Sequence, residues 1–209
     1  MIAQALALTA ALLLVAPGPG KVWAGAPTDQ LRAQINRTIQ ILEDPEPKKP
    51  GKVRDRRAAV RQVANDIFDF GETAKRSLAR HWAARSQAER DEFVQLFADL
   101  LERSYISKIE LYGGEKIRFV GEATDPDGAI VKSRLVTKAE TEIPIDYRMH
   151  LRGDKWLVYD VLIEGVSLIS NYRTQFNKII TTSSYQELVK KMKSKQEEFI
   201  QEEKRTSQR

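Results

Sequence analysis

The sequence predicts an α+β fold, with helices packed on a curved antiparallel meander of about four strands. Apolar residues recur every three or four positions as far as Gly114, every second position from there to Ile163, and every three or four again beyond it. A period near 3.6 indicates amphipathic helix and a period of 2 indicates half-buried strand. Because the helices and strands come in separate runs instead of alternating, the layout is α+β and not α/β.

Residues 1–24 have the pattern of a signal peptide. A run of Ala, Leu and Val from Ala3 to Val15 is followed by the helix breakers Pro17 to Gly20. A secretory apolar core has roughly 7 to 15 residues, whereas a membrane span needs about 20. We therefore expect export to the periplasm, cleavage after Ala24 and a soluble mature protein. No Lys or Arg precedes the run, and a buried apolar helix is the alternative.

Composition argues against several classes of protein. The 34 Lys and Arg residues against 29 Asp and Glu give a net charge of +5, and both signs are mixed along most of the chain. A nucleic-acid-binding protein usually concentrates its basic residues on one strip, so no nucleic-acid partner is expected. Cysteine is absent, which excludes disulfides and the acylated cysteine of a lipoprotein.

Four helices are predicted before the strands. The first spans 28–44 and is followed by an exposed loop, Pro45 to Gly51; the second spans about 53–68, and the third ends near Arg85. Ser86 and Glu89 form a capping box, in which each side chain accepts a hydrogen bond from a free amide at the start of the fourth helix. That helix has the longest regular apolar stripe in the chain and ends at Gly113-Gly114.

The strands are predicted at 117–123, 129–139, 141–152 and 156–163, with tight turns between them. Few and strongly twisted strands make a sheet curl, so a hollow can remain between the sheet and its helices. Gly165 suits the turn into a fifth helix, for which Ser167 is the N-cap, and Ser184 to Glu187 form the capping box of a sixth. We expect the folded domain to span 28–192 and the polar tail, 193–209, to be frayed or disordered.

The search for catalytic groups is largely negative. His81 and His150 are the two histidines, and the sequence lacks a nucleophile elbow, a phosphate-binding loop and a zinc motif. We predict neither a metal nor a cofactor. Asp160 lies in the most apolar strand, where burial could raise its pKa as a general base requires. An enzyme that uses Asp160 is therefore kept as an alternative, and the prediction is that the protein is not an enzyme.

One segment and a set of helical positions resemble a known family. Trp156 to Arg173 reads WLVYDVLIEGVSLISNYR, which resembles the strand-to-helix motif of the MlaC family, also called toluene-tolerance proteins. The helical half is similar as well, at Phe68-Asp69-Phe70 and at Ala74, Leu78, Trp82, Phe93, Phe97, Leu101 and Tyr105. The resemblance spans about Thr28 to Leu188 and also fits a hopanoid-associated subgroup of the family.

The resemblance implies a lipid carrier. Such proteins hold phospholipid acyl chains in an apolar cavity and shuttle them between an outer-membrane lipoprotein complex and an inner-membrane ABC transporter complex with an MCE-domain protein. The lipid would be a phospholipid or a hopanoid-like lipid, and an envelope adaptor without lipid cargo is the other alternative. Apolar periodicity does not distinguish residues that line a cavity from residues of a packed core. The lining residues expected from the resemblance are Phe93, Phe97, Leu101, Tyr105, Tyr147, Met149, Trp156, Tyr159, Val161, Val166, Ile169 and Tyr172.

Overall fold

The structure is a computed structural model that describes residues 26–44 and 50–207. The predicted signal peptide and most of the predicted loop before the second helix lie outside the described residues. The described helices are α1 (Pro27–Glu43), α2 (Pro50–Ile67), α3 (Phe70–Leu78), α4 (Gln87–Ile109), α5 (Leu168–Thr182) and α6 (Tyr185–Ser207), with one turn of 3₁₀ helix (Ala79–His81) after α3. Across these residues, no helix combines the length and the apolar character that crossing a membrane requires.

A single antiparallel sheet follows the helical half of the chain. Its strands are β1 (Lys116–Asp125), β2 (Gly128–Val136), β3 (Glu142–Arg152), β4 (Lys155–Ile163) and β5 (Val166–Ser167), paired in sequence order. Register shifts interrupt β1 at Phe119/Gly121 and the β3–β4 pairing at Arg148/Met149. Such bulges bend a strand and increase its twist. The predicted α+β fold with a curved antiparallel meander is confirmed, and β5 is an additional strand too short to show a period.

The buried apolar residues form two separate clusters. The helical cluster joins α3, α4, α5 and α6 and is centred on the rings of Phe93, Phe97 and Phe176, whose centroids lie 5.1 to 5.8 Å apart. The sheet cluster joins α1, α2 and the strands, and includes Leu31, Ile67, Val131, Met149, Trp156 and Val158. Since neither cluster contains a residue of the other, the helical half and the sheet are packed as two cores.

Local hydrogen bonds fix the ends of the helices where the sequence predicts them. In the capping box of α4, the Glu89 amide donates to Ser86 Oγ (3.3 Å) and the Ser86 amide donates to the Glu89 carboxylate (2.8 Å). The Ser167 hydroxyl accepts from the Ser170 amide at 3.0 Å, as an N-cap does. Gly165 before it has a φ of 79°, a left-handed conformation that glycine adopts without strain.

Two helix boundaries differ from the predicted ones. The third helix ends at Leu78 instead of near Arg85, because Ala79 has a φ of 47° and cannot continue an α-helix. Helix α6 is continuous from Tyr185 to Ser207. The sequence suggests instead that the tail from residue 193 is frayed or disordered. Lys193 pairs with Glu92 of α4 at 2.6 Å, and Phe199 and Ile200 are half-buried, so this segment has contacts that composition alone does not reveal.

Candidate functional site

One face of the sheet is largely apolar across β2, β3 and β4. The strand register arranges its residues in four rows that cross the sheet. The first row contains Thr124, Ala129, Met149 and Val158; the second contains Glu122, Val131, Tyr147 and Val161; the third contains Phe119, Ser133, Ile145 and Ile163; and the fourth contains Ile117, Leu135 and Ile143. Besides the hydroxyl of Ser133 and the phenol of Tyr147, the polar side chains in these rows are Thr124 and Glu122, both exposed on the edge strand β1.

Burial decreases from the first row to the fourth. In the first row, Ala129, Met149 and Val158 are at most 5% exposed. Every residue of the fourth row is half-buried, and so are the three apolar residues of the third row, Phe119, Ile145 and Ile163. The helices therefore cover this face closely at the first row and less closely at the fourth.

Helices α1, α2 and α4 show a similar change along their lengths. Helix α1 is buried at Leu31 and half-buried at Ile35, Ile39 and Leu42 towards its end. Helix α2 is half-buried at Val53 and buried from Val60 onwards. In α4 the buried residues Phe93, Leu96 and Phe97 give way to half-buried Leu100, Leu101 and Tyr105.

These half-buried ends meet at one end of the molecule, which we call the open end. The Tyr112 hydroxyl, just after α4, donates to Glu43 Oε1 at the end of α1 (3.3 Å). Arg57 near the start of α2 donates from Nε and Nη2 to the Glu110 carboxylate, at 2.7 and 2.9 Å. Leu111 is 81% exposed beside them. These contacts bring together the end of α1, the start of α2 and the end of α4, each of which carries half-buried apolar side chains.

Three half-buried tyrosines lie among the apolar residues of the sheet and the helices. Tyr147 is half-buried, but burial raises the pKa of its phenol to about 12. Burial also raises the pKa of Tyr105 and of Tyr172, both of which are half-buried. Burial is the largest cause of each shift, because it disfavours the charged form of the phenol.

The structure divides the predicted lining residues into three groups. Five are fully buried within the packed interior: Phe93, Phe97, Met149, Trp156 and Ile169. Five are half-buried: Leu101, Tyr105, Tyr147, Val161 and Tyr172. Of these, Leu101 and Tyr172 lie against the helical cluster, and Tyr147 and Val161 lie against the sheet cluster. The remaining two lie elsewhere: Val166 is 61% exposed, and Tyr159 packs under the Arg76 guanidinium (4.1 Å) and against His150.

Sequence reasoning did not include several residues with the same half-buried character. On the sheet these are Leu135, Ile143, Ile145 and Ile163, and on the helices Ile35, Ile39, Leu42 and Val53. The alternation in β3 does place Ile143 and Ile145 on the face of Tyr147 and Met149, which is the signal that could have found them. Their partial exposure depends on how the helices are set over the sheet.

Asp160 lies on the opposite side of β4 and joins the strand to α5. Its carboxylate accepts from Arg148 Nη1 (3.1 Å), from the Ser167 hydroxyl (2.7 Å) and from the Ile169 amide (3.1 Å). Both carboxylate oxygens are engaged by these bonds, and the side chain is 2% exposed. The arrangement fits the predicted structural role of a strand residue that fixes the turn into a helix.

A second buried carboxylate, Asp69, caps α3. It accepts from the Glu72 amide (2.9 Å) and from Arg152 Nη1 (2.9 Å), and lies 3.2 Å from His150 Nε2. Burial opposes ionisation, but these bonds and the charges of Arg152 and His150 lower the pKa of Asp69 below its usual value. Among the described residues no group of three acidic or histidine side chains has the arrangement of a metal site.

Fold and site together define a class: an α+β protein with a curved sheet and an apolar region of half-buried residues between the sheet and its helices. The model of one protein family, described as MlaC protein, matches residues 32–194. The chain belongs to the MlaC family, as the segment from Trp156 to Arg173 predicts.

Two individual proteins are similar to this chain. The first is the intermembrane phospholipid transport system binding protein MlaC of Haemophilus influenzae, 23% identical over 138 residues. The match covers 62% of this chain and 64% of the Haemophilus protein, so it spans less than two thirds of that relative. The second is the solved structure of a phospholipid-binding protein from Ralstonia solanacearum in complex with a phospholipid. It has a TM-score of 0.74 at 20% identity and covers 84% of this chain and 99% of the other, which establishes a shared fold.

Proposed function

We propose that this protein is a phospholipid-binding transport protein that holds acyl chains in the hollow between the sheet and α1, α2 and α4. The observation that carries the proposal is the decrease in burial along one continuous apolar sheet face, from Met149 to Ile143. Membership of the family and the bound phospholipid in the Ralstonia structure support the same ligand class.

The physical requirement for such a carrier is an apolar sleeve. Each methylene group that leaves water for an apolar environment contributes about 0.8 kcal/mol, so a free phospholipid cannot cross an aqueous space at a useful rate. The half-buried side chains named above provide a surface of the required kind, with Leu101, Tyr105 and Tyr172 on the helical side and Tyr147, Val161 and Ile145 on the sheet side. Tyr159 and Val166 are not part of the lining in this proposal.

The proposed route of transport is the one expected of this family. We propose that the protein works in the periplasm, without catalysis, between an outer-membrane lipoprotein complex and an inner-membrane ABC transporter complex with an MCE-domain protein. The name of the Haemophilus relative, a binding protein of an intermembrane phospholipid transport system, supports this role. Asp160 acts in this proposal as a structural residue.

The experiment introduces a tryptophan into the hollow, and the control introduces a tryptophan on the other face of the sheet. Ile145→Trp places an indole over the third row, and Ile130→Trp places one on the opposite, exposed face of β2. Native mass spectrometry of the purified proteins would measure bound lipid per chain. We expect wild type and Ile130→Trp to carry phospholipid and Ile145→Trp to carry several-fold less, because the indole occupies the volume of an acyl chain.

Two outcomes would contradict the proposal. One is a wild-type protein that contains no lipid after purification and takes up none from phospholipid vesicles. The other is an Ile145→Trp protein that folds and retains the wild-type lipid content. The first outcome would favour an adaptor whose apolar faces are ordinary core.

A further inference from the structure

The surface formed by α3, the turn of 3₁₀ helix after it and α5 is strongly basic. These three elements contain five Lys and Arg residues, all of them exposed, and one acidic residue, Glu72. The five cations, which we call the basic surface, are Lys75, Arg76, Arg80, Arg173 and Lys178. The excess of positive charge is local, because the whole chain has 34 basic residues against 29 acidic ones.

Hydrogen bonds between α3 and α5 hold these cations side by side. Arg173 Nε donates to the backbone carbonyl of Arg76 (3.0 Å), and Arg80 Nη2 donates to the side-chain oxygen of Asn177 (2.5 Å). Both acceptors are uncharged, so these bonds position the two guanidinium groups without neutralising them. Glu72 accepts from Arg76 Nε at 2.7 Å and balances one positive charge. The basic surface therefore has a large net positive charge in a fixed arrangement.

We infer that the basic surface attaches this protein to an anionic membrane surface. Interfaces between proteins usually have an apolar centre that is depleted of charge. Among the described residues, the exposed large apolar side chains all lie outside α3 and α5. Cations without an apolar anchor are suited to a layer of mobile anionic headgroups, because such headgroups can rearrange to meet them.

The basic surface is separate from the proposed lipid site. On α5, the ring of Tyr172 faces Phe97 of α4 with 5.0 Å between centroids, whereas the next residue, Arg173, bonds to α3. Arg76 covers Tyr159, which is not part of the proposed lining, at 4.1 Å. The inference therefore goes beyond the proposed function, since it concerns where the protein resides and not what the hollow holds.

The experiment measures binding of the purified protein to vesicles by sedimentation. One set of vesicles is phosphatidylcholine alone, and the other is phosphatidylcholine mixed with the anionic lipid phosphatidylglycerol. We expect the wild type to bind the mixed vesicles about tenfold more tightly or better, because each Lys or Arg near an anionic surface contributes about fivefold in affinity. The preference should weaken as the salt concentration rises from about 0.1 M to about 1 M, since the Debye length falls from about 10 Å to about 3 Å.

Paired substitutions separate the basic surface from general charge. Arg80→Gln with Lys178→Gln removes two exposed charges from it and should lower the affinity for mixed vesicles by about tenfold or more. The matched control, Lys116→Gln with Lys138→Gln, removes two exposed charges at the start of the edge strand β1 and just after β2. Because α3 and α5 pack against β4, on the other side of the sheet, the control should lower the affinity by less than about threefold. Native mass spectrometry should find the wild-type lipid content in both double variants.

Two outcomes with the wild type alone would overturn the inference: equal binding to the two kinds of vesicle, or a preference that salt does not weaken. Equal binding would favour an acidic protein as the partner of the basic surface. With the variants, the inference is overturned if Arg80→Gln with Lys178→Gln binds no more weakly than the control pair does. The proposed function fails separately, since a protein that contains no lipid and still prefers the mixed vesicles would contradict the lipid site and leave the membrane attachment intact.

Discussion

Two buried carboxylates connect elements that are distant in sequence. Asp69 joins the start of α3 to the end of β3 through Arg152 and His150, and Asp160 joins β4 to the start of α5. A buried carboxylate is stable only when its oxygens accept hydrogen bonds or face positive charge. Each of these residues meets that condition with a backbone amide as well as side chains, so each links two elements of the fold.

The contribution of Asp69 should depend on pH. Its folded-state pKa is lowered, so the folded protein binds the proton more weakly than the unfolded chain does. The stabilisation is therefore complete above the unfolded pKa, about 3.9, and is lost as the pH falls through the folded pKa. In urea unfolding between pH 7 and pH 2.5, wild type should exceed Asp69→Asn in unfolding free energy at neutral pH, and the difference should shrink below about pH 4. A difference independent of pH would contradict this.

Replacement of Asp160 should affect stability and not lipid content. Asp160→Asn removes the charge that holds Arg148 and weakens the bonds from Ser167 and the Ile169 amide. We expect the unfolding free energy to fall by about 2 to 4 kcal/mol. Urea unfolding measures this loss, and native mass spectrometry should find wild-type lipid occupancy in the folded variant. Asp154→Asn, on an exposed hairpin, serves as the control and should change the free energy by less than about 0.5 kcal/mol.

At the scale of elements, the bulges determine which residues face the helices. The register shift in the β3–β4 pairing leaves Tyr159 without a partner in β3, so Val158 and Val161 share the apolar face although they are three residues apart. Tyr159 and Asp160 both contact residues of the other face. Strict alternation from Val158 would have put Asp160 on the apolar side, and the bulge avoids that arrangement.

The turn between β1 and β2 provides a test of strand packing. A Cβ atom on Gly128 would lie 2.8 Å from the carbonyl oxygen of Met149 in β3, and backbone at that distance cannot move aside cheaply. Gly128→Ala should lower the unfolding free energy by about 1 to 3 kcal/mol in urea unfolding. Gly121→Ala is the matched control, since a Cβ there meets nothing within 4 Å and should cost less than about 0.5 kcal/mol. Equal effects of the two variants would contradict this interpretation.

At the scale of the whole molecule, the buried apolar residues form two separate clusters. The helical cluster is organised by aromatic contacts of Phe93, Phe97 and Phe176, and the sheet cluster by Met149, Val158 and Leu31. Half-buried Leu101 and Tyr172 lie against the first, and half-buried Tyr147 and Val161 against the second. A ligand held between them would add apolar contacts to both.

Lipid should therefore stabilise the folded protein measurably. A ligand at about a hundred times its dissociation constant contributes roughly 3 kcal/mol to the folded state, and for a chain of this size the melting temperature would fall by about 6 to 12 °C on its removal. Calorimetry of the purified and delipidated proteins measures the shift. Added phospholipid should restore the original value, whereas identical melting temperatures in all three samples would show that the space between the clusters is not a lipid site.

The sequence predicts most of the fold because period and capping are local properties. The alternation of Ile143, Ile145 and Tyr147 defines β3, and Ser86 with Glu89 defines the start of α4. The site is less predictable, since partial exposure depends on the distance between layers. Phe97 and Leu101 are one turn apart with the same apolar character, yet Phe97 is buried and Leu101 half-buried. The placement of Tyr159 depends on a bulge, which a single strand's sequence does not show.

The half-buried rows near Ile143 have a consequence for how this chain can vary. A side chain that faces another side chain must match its shape, because protein interiors are close-packed and mismatched volumes are destabilising. A side chain that faces the fluid acyl chains of a ligand has no fixed neighbour to match. We therefore expect Leu135, Ile143 and Ile163 to accept any aliphatic replacement of similar bulk, while Met149 and Val158, two rows or more away on the same face, demand a close fit. One face of the sheet would thus contain positions that tolerate substitution and positions that do not. The boundary between the two sets would mark how deeply the lipid enters.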